Sequence, residues 1–264
     1  MLIVGELINA SRKPVALAIK EQDSEAIGRL ADDQYKNGAD YIDVNAGVFV
    51  EKEADYLKWI VRNVQKESAV PCCIDSPNPD VIETALSVHQ GRAMINSISL
   101  EKKRLDAMLP LVAGSDLKVV ALCMGDEGMP ETADERIAIA EELVNKLVQN
   151  NVPLDNIYVD PLVQPVATNK DYGVEFLTAI EQIMRTFDGC HTICGLSNIS
   201  YGLPERKLLN QTFVSMAIEK GLDAAIINPL DKVMTGSISA ALALSGRDDF
   251  CMNYIKAYRE GDLP

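Results

Sequence analysis

Four short apolar runs in this chain end in a carboxylate or a carboxamide. They are Cys72-Cys73-Ile74-Asp75, Ala93-Met94-Ile95-Asn96, Ile157-Tyr158-Val159-Asp160 and Ile193-Cys194-Gly195-Leu196-Ser197-Asn198. A carboxylate accepts hydrogen bonds from amidine-like N–H groups, whereas a carboxamide both donates and accepts. Two of each, brought to one pocket, suit a flat, nitrogen-rich heterocycle. Asp75 and Asp160 differ from ordinary capping residues. Asn78 already stands where the helix after Asp75 needs its cap, and Asp160 precedes Pro161, which has no N–H to offer. A carboxylate shielded from water is costly unless it is partnered, so both await a ligand or a cation.

These ends meet only if the runs are parallel neighbours in one sheet. Apolar runs recur at Leu2–Glu6, Tyr41–Val44, Cys72–Asp75, Ala93–Asn96, Val119–Met124, Ile157–Asp160, Thr192–Leu196 and Ala224–Ile227, with amphipathic, helix-length segments between them. Strands that are apolar throughout are what a sheet covered on both faces requires. The pattern predicts a single α/β domain, a (β/α)8 TIM barrel spanning residues 1–264. Helix starts are predicted at Asn78-Pro79 and at the capping box Thr132-Ala133-Asp134-Glu135, and a helix end at Lys220-Gly221. Residues Asp248–Arg259 form a terminal helix in this reading. The competing doubly wound sheet lacks a G-x-G-x-x-G turn after its first strand. In a barrel, polar residues at the C-terminal strand ends face the mouth, where Glu6, Asp43, Asn45, Asp75, Asn96, Met124, Asp160, Asn198 and Asn228 are all expected.

Composition narrows the function. With 25 Lys and Arg against 39 Asp and Glu, the formal charge is −14, which disfavours nucleic acid and anionic membrane as partners. The six cysteines include no C-x-x-C pair and sit largely in apolar runs, so they read as small hydrophobes in a reducing compartment. Cys123, near the mouth, is expected in the core. No basic, apolar leader opens the chain, and no apolar run reaches membrane-spanning length, so a soluble cytoplasmic protein is expected. The only histidines, His89 and His191, fall at a helix end and a strand start; with none at the mouth, no tightly bound metal is expected.

The ordered motifs Gly5-Glu6-Leu7-Ile8-Asn9, Asp43-Val44-Asn45-Ala46-Gly47, Ile74-Asp75-Ser76, Arg92-Ala93-Met94-Ile95-Asn96-Ser97, Tyr158-Val159-Asp160-Pro161-Leu162, Gly195-Leu196-Ser197-Asn198-Ile199-Ser200 and Gly221-Leu222-Asp223-Ala224-Ala225 cover essentially the whole chain. Together they resemble the pterin-binding barrels, and within them the methyltetrahydrofolate:corrinoid protein methyltransferases. The resemblance implies that Asp75, Asn96 and Asp160 hold the pterin ring and that Asn198 is the catalytic residue beside N5, the atom that carries the methyl group. It also implies that the turn from Ser200 to Arg206 meets the aminobenzoate and glutamate tail, with Arg206 facing the anionic end. Glu6, Asp43, Asn45, Met124, Ser197 and Tyr201 are further pocket candidates. Tyr201 departs from the amide of the family pattern, and Arg206 reads equally well as a solvated first-turn helix residue.

By the same resemblance the substrate is tetrahydrofolate or methyltetrahydrofolate, and the second methyl carrier is cobalamin, a corrinoid. The chain has no D-x-H-x-x-G signature for binding cobalamin, so the cobalt is expected on a separate corrinoid protein. A homodimer is also implied. N5 is a poor leaving atom unless a proton or strong hydrogen bond develops there, and an amide such as Asn198 supplies the hydrogen bond but not the proton. The proton is therefore expected from water, through a network drawing on Asp43, Asp75 or Asp160. Two alternatives remain open at this point: a dihydropteroate synthase, which would want a basic pyrophosphate partner after the seventh strand, and a folate-binding protein without catalysis.

Overall fold

The computed structural model describes residues 1–68 and 70–264. Its strands are β1 (Leu2–Asn9), β2 (Tyr41–Asn45), β3 (Cys72–Asp75), β4 (Met94–Ile98), β5 (Lys118–Leu122), β6 (Ile157–Asp160), β7 (His191–Thr192) and β8 (Ala224–Ile227). All pair in parallel, in the order 7-6-5-4-3-2-1-8. Between the outermost strands one isolated bridge, Gly195 with Ile226, nearly closes the ring, and Ile226 N donates to Cys194 O at 2.9 Å. This is the expected (β/α)8 barrel.

Its helices are α1 (Lys13–Glu21), α2 (Ser24–Lys36), α3 (Glu53–Glu67), α4 (Pro79–Leu86), α5 (Lys102–Val112), α6 (Ala133–Gln149), α7 (Tyr172–Thr186), α8 (Arg206–Glu219), α9 (Lys232–Leu244) and α10 (Met252–Glu260). Asn78 caps α4 by accepting from Asp80 N, and Thr132 with Glu135 completes the capping box of α6. Two helices follow β1 instead of one, because Asp23 accepts from Ala26 N and starts α2 immediately after the left-handed cap of α1. The terminal segment is a 3₁₀ turn, Asp249–Cys251, followed by α10, with Asp248 accepting from Asn253 N and Tyr254 N.

Side chains alternate along each strand, and the two sets bury in different places. Ile42, Val44, Ile74, Ile95, Val119 and Val159 are fully buried in the outer core beneath the helices. Val4, Tyr41, Cys73, Met94, Val120, Tyr158, Ile193 and Ala224, one from each strand or its continuation, pack against one another inside the barrel. The interior is a filled core, as in barrels of this size.

Five strand ends differ from the sequence reading, β1 running on to Asn9 and β2 to Asn45. β4 continues to Ile98 because its ladder with β5 skips a residue between Asn96 and Ile98, so Asn96 stands within the strand. β5 stops at Leu122, where Cys123 N turns to Asp160 O at 2.8 Å, leaving Met124 beyond it. β7 leaves the ladder after Thr192, and from Gly195 the chain winds into a 3₁₀ turn, Leu196–Ser200, whose first bond runs from Asn198 N to Gly195 O at 3.3 Å. Asn198 thus stands on a turn and not at a strand end.

Candidate active site

Two residues beyond the interior layer, the same alternation returns to the barrel axis. From Val4, Tyr41, Cys73, Met94, Val120, Tyr158, Ile193 and Ala224 it reaches Glu6, Asp43, Asp75, Asn96, Leu122, Asp160, Gly195 and Ile226. All eight line one cavity of about 440 Å³ at the mouth. Below them the barrel is closed by apolar side chains; at their level it is walled mainly by polar ones. Asn9, Ser11, Arg12, Leu162, Ser197 and Asn198 complete the wall.

Register sets the lateral order. Asn45, Asp75 and Asn96 are successive partners across β2, β3 and β4. Asn45 Nδ2 donates to Asp75 Oδ2 at 2.9 Å, and Gly47 N donates to Asn45 Oδ1 at 3.0 Å. Asn45 therefore orients Asp75 without lining the cavity. Asp160 Oδ1 accepts from Leu162 N at 2.8 Å, and Leu162 itself turns at φ 65°, in the left-handed region.

Three carboxyl groups share a space poor in water. Burial pushes Asp160 up to about 7, against the Leu162 and Gly195 N–H groups and the more distant charge of Arg136. Burial and the adjacent Asp75 carboxylate hold Asp43 well above the usual carboxylate range, against hydrogen bonds with Cys73 and Asn96. Burial also raises Asp75, opposed by the Asn45 amide and the charge of Arg104. Two carboxyl groups so shielded and mutually repelling both hold a proton more readily than free carboxylates. Asp43 Oδ1 is buried and has no hydrogen-bond partner among the described residues.

A second cavity of about 310 Å³ adjoins the first and shares Glu6, Arg12 and Ser197 with it; Arg206, Lys207, Asn210, Asn228 and Asp231 form its remaining polar wall. Glu6 stands between the two, paired with Arg12 at 2.9 Å and accepting from Ser197 Oγ at 3.1 Å. Arg206 donates to Ser197 O at 2.7 Å and to Ser200 Oγ at 3.0 Å, so its guanidinium is partly spent on holding the 3₁₀ turn.

The structure therefore brings Glu6, Asp43, Asp75, Asn96, Asp160, Ser197 and Asn198 to one cavity, with Arg206 in the adjoining one. Three candidates line neither cavity: Asn45, which stands behind Asp75, and Met124 and Tyr201. Met124 is outside both linings, its carbonyl accepting from Leu100 N at 2.9 Å, because β5 ends before it. Tyr201 is 66 % exposed on the rim, with the Arg206 guanidinium 5.9 Å from its ring. Cys123 is in the outer core, as expected, and His89 accepts from Cys72 N at 2.9 Å. The sequence reading did not single out Asn9, Arg12, Leu122, Gly195 or Ile226. The last three lie two residues beyond interior core positions, a signal that alternation along the strands carries once the interior face is known.

Residues 5–228 match the model of the family described as pterin binding enzyme. The chain is 36% identical, over its full length and 98% of the other protein, to the methylcorrinoid:tetrahydrofolate methyltransferase of Eubacterium limosum. It is 30% identical over 92% of its length to the methionine synthase of Mycobacterium tuberculosis, but spans only 22% of that larger protein. Among solved structures, a dihydropteroate synthase from Coxiella burnetii in complex with pteroic acid superposes with a TM-score of 0.75 at 17% identity, covering 92% of this chain and 93% of that one. The Xanthomonas albilineans dihydropteroate synthase with 7,8-dihydropteroate gives 0.69 at 18% identity, with 92% of each chain covered. At these identities the solved structures speak for the fold alone.

Proposed function

Because the chain belongs to the pterin-binding enzyme family, we propose that its mouth cavity holds tetrahydrofolate and that it moves a methyl group between N5 and the cobalt of a separate corrinoid protein. Its relatives make the chain a methyltransferase. The observation that carries the finer reading is the inner layer of the mouth. Asp75, Asn96 and Asp160 offer two acceptors and an amide around a flat space, with Asn198 on the wall beside them. In this reading Asp75 and Asp160 accept from the amino and N–H edge of the pterin, Asn96 meets its donor–acceptor edge, and Asn198 hydrogen-bonds N5.

The direction favoured here follows the 36%-identical relative, whose name runs from methylcorrinoid to tetrahydrofolate. The N5 lone pair attacks the methyl group of methyl-Co(III), the Co–C bond breaks with its electron pair left on cobalt as Co(I), and the new C–N bond forms. N5 then loses its proton. Asp43, Asp75 and Asp160 all hold protons more readily than ordinary carboxylates, and Asp160, pushed up to about 7, stands in the range where general acid–base groups work best. Run backwards, the same groups return the proton to N5 as the methyl group leaves.

A corrin on a partner must reach the mouth. The loops around it expose apolar side chains: Val48 and Val50 after β2, Met129 after β5, Val174 at the start of α7, Tyr201 after β7 and Leu230 after β8. This rim supports docking of a partner's apolar face over a polar pocket. Leu244, Phe250 and Tyr258, exposed at the end of α9 and along the terminal segment, support the expected homodimer, which light scattering tests.

The deciding assay mixes the chain with tetrahydrofolate and a methylated corrinoid protein. Loss of the methyl-Co(III) absorption, growth of Co(I) and stoichiometric 5-methyltetrahydrofolate are expected. Folate binding with unchanged cobalt spectra would leave a binding protein; pteroate formed from a dihydropterin pyrophosphate and 4-aminobenzoate would make it a synthase.

A further inference from the structure

Arg104, on the first turn of α5, lines neither cavity and forms no salt bridge among the described residues, yet all three nitrogens of its guanidinium donate hydrogen bonds. Nε donates to Ser97 O at 2.8 Å, Nη2 donates to Ser76 O at 3.0 Å and also to Ser97 O, and Nη1 donates to Pro77 O at 2.5 Å. Ser76 and Ser97 directly follow Asp75 and Asn96, which are the last register partners of β3 and β4. Beyond that pair the ladder stops; the bond from Ser76 N to Asn96 O is 3.4 Å long. A planar fork bridging three carbonyls takes over where the ladder ends. Placing a guanidinium there, partly buried and hydrogen-bonded to no carboxylate among the described residues, is costly and needs a return.

We propose that Arg104 is a positioning residue: it fastens the ends of β3 and β4 to each other so that Asp75 and Asn96 keep a fixed separation. Its charge, in addition, favours the ionised form of Asp75. The inference rests on the reading that Asp75 and Asn96 hold the pterin ring. Asp75 faces Asn45 and Asp43 on β2, Glu53 on α3 and Arg104 on α5, with Glu6 and Asp160 across the cavity. Of these groups Arg104 is the one cation that acts on it. Arg104 has two separable properties, a fork and a charge. Methionine removes both; lysine keeps the charge and loses the fork.

The test is calorimetric titration of tetrahydrofolate into the wild type, R104M and R104K across pH, with circular dichroism to confirm folding. R104M should bind about 10–10²-fold more weakly, the scale expected when a hydrogen bond to a charged group such as Asp75 is lost. Its affinity should also fall away at a higher pH on the acid side than that of the wild type. R104K should restore the acid limb but not the affinity. Wild-type affinity or an unmoved acid limb in R104M overturns the proposal, as does full rescue by lysine. If R104M fails to fold, R104K decides alone: weaker binding with an unmoved acid limb supports the proposal, and wild-type affinity overturns it. Asp75→Asn separates the two levels, because wild-type folate affinity in that variant would remove the pterin reading itself.

Discussion

Asp160→Asn should stabilise the unliganded protein while removing its ability to bind folate. Asp160 is 8 % exposed, and burial lifts its carboxyl from 3.8 to about 7. Below both values the folded and unfolded chains carry the same proton, and Asp160 costs nothing. Between them the unfolded chain releases a proton that the folded chain keeps, so stability falls as pH rises. Above about 7 the penalty is complete: a rise of roughly three pH units, at about 1.4 kcal/mol each, sets an upper bound of about 4 kcal/mol. Asparagine keeps the shape and can still accept from Leu162 N, but carries no charge to desolvate. In urea denaturation the variant should match the wild type at about pH 4, gain stability through about pH 6, and hold a constant gain at about pH 8. Added tetrahydrofolate should then stabilise the wild type and leave the variant unmoved. A gain of the same size at every pH, or a variant less stable than wild type at about pH 8, would refute the reasoning.

Asn198→Ala should lower methyl transfer by about 10²–10³-fold, the usual loss when a donor aligned to developing charge is removed, with only a moderate loss of folate affinity; single-turnover rates and binding isotherms check the split, and an unchanged rate would sink the assignment. His191 bonds through Nδ1 to Asp223 Oδ2 at 2.6 Å and through Nε2 to Asp155 Oδ1 at 3.2 Å, with its ring stacked on Tyr158. Asp223 first, then Asp155, raises its protonation range, so its contribution to stability is present below about 6.5 and fades as pH climbs through the raised value. His191→Gln should therefore cost more stability in mildly acid than in alkaline solution, and equal losses in urea melts at both would count against the clasp. At Gly5 an added Cβ would meet Gln34 Oε1 at 2.4 Å, and that oxygen accepts from Leu7 N at 2.9 Å where β1 slips register. Gly5→Ala should destabilise by about 1–3 kcal/mol in denaturant titration, and a neutral result would show that Gln34 moves freely.

The barrel was legible because its strands are runs such as Cys72–Asp75 and Ile157–Asp160, which the structure reproduces residue for residue. Helix starts at Asn78 and Thr132 were equally legible, since capping chemistry is local. Strand ends set by neighbours were not. Where β4 skips a residue against β5, and where β7 gives way to the 3₁₀ turn at Leu196, the outcome depends on pairing with other strands. Met124 was misplaced for that reason.

The sequence alone determined which residue types stand near the mouth, because alternation along a strand and the fold's polarity are properties of local order. It could not say that Asp43 and Asp75 lie buried close enough to raise each other's protonation range, that Asn45 aims Asp75, or that Arg104 spans two loops. Each joins elements far apart in the chain: Asn45 and Asp75 are 30 residues apart, and Arg104 and Ser76 are 28. Hydrogen bonds and desolvation act over a few ångströms, and only the closed sheet brings those groups within that range. Tertiary structure turned a set of polar strand ends into a pocket with an apolar floor and buried carboxyl groups that hold protons more readily than free ones.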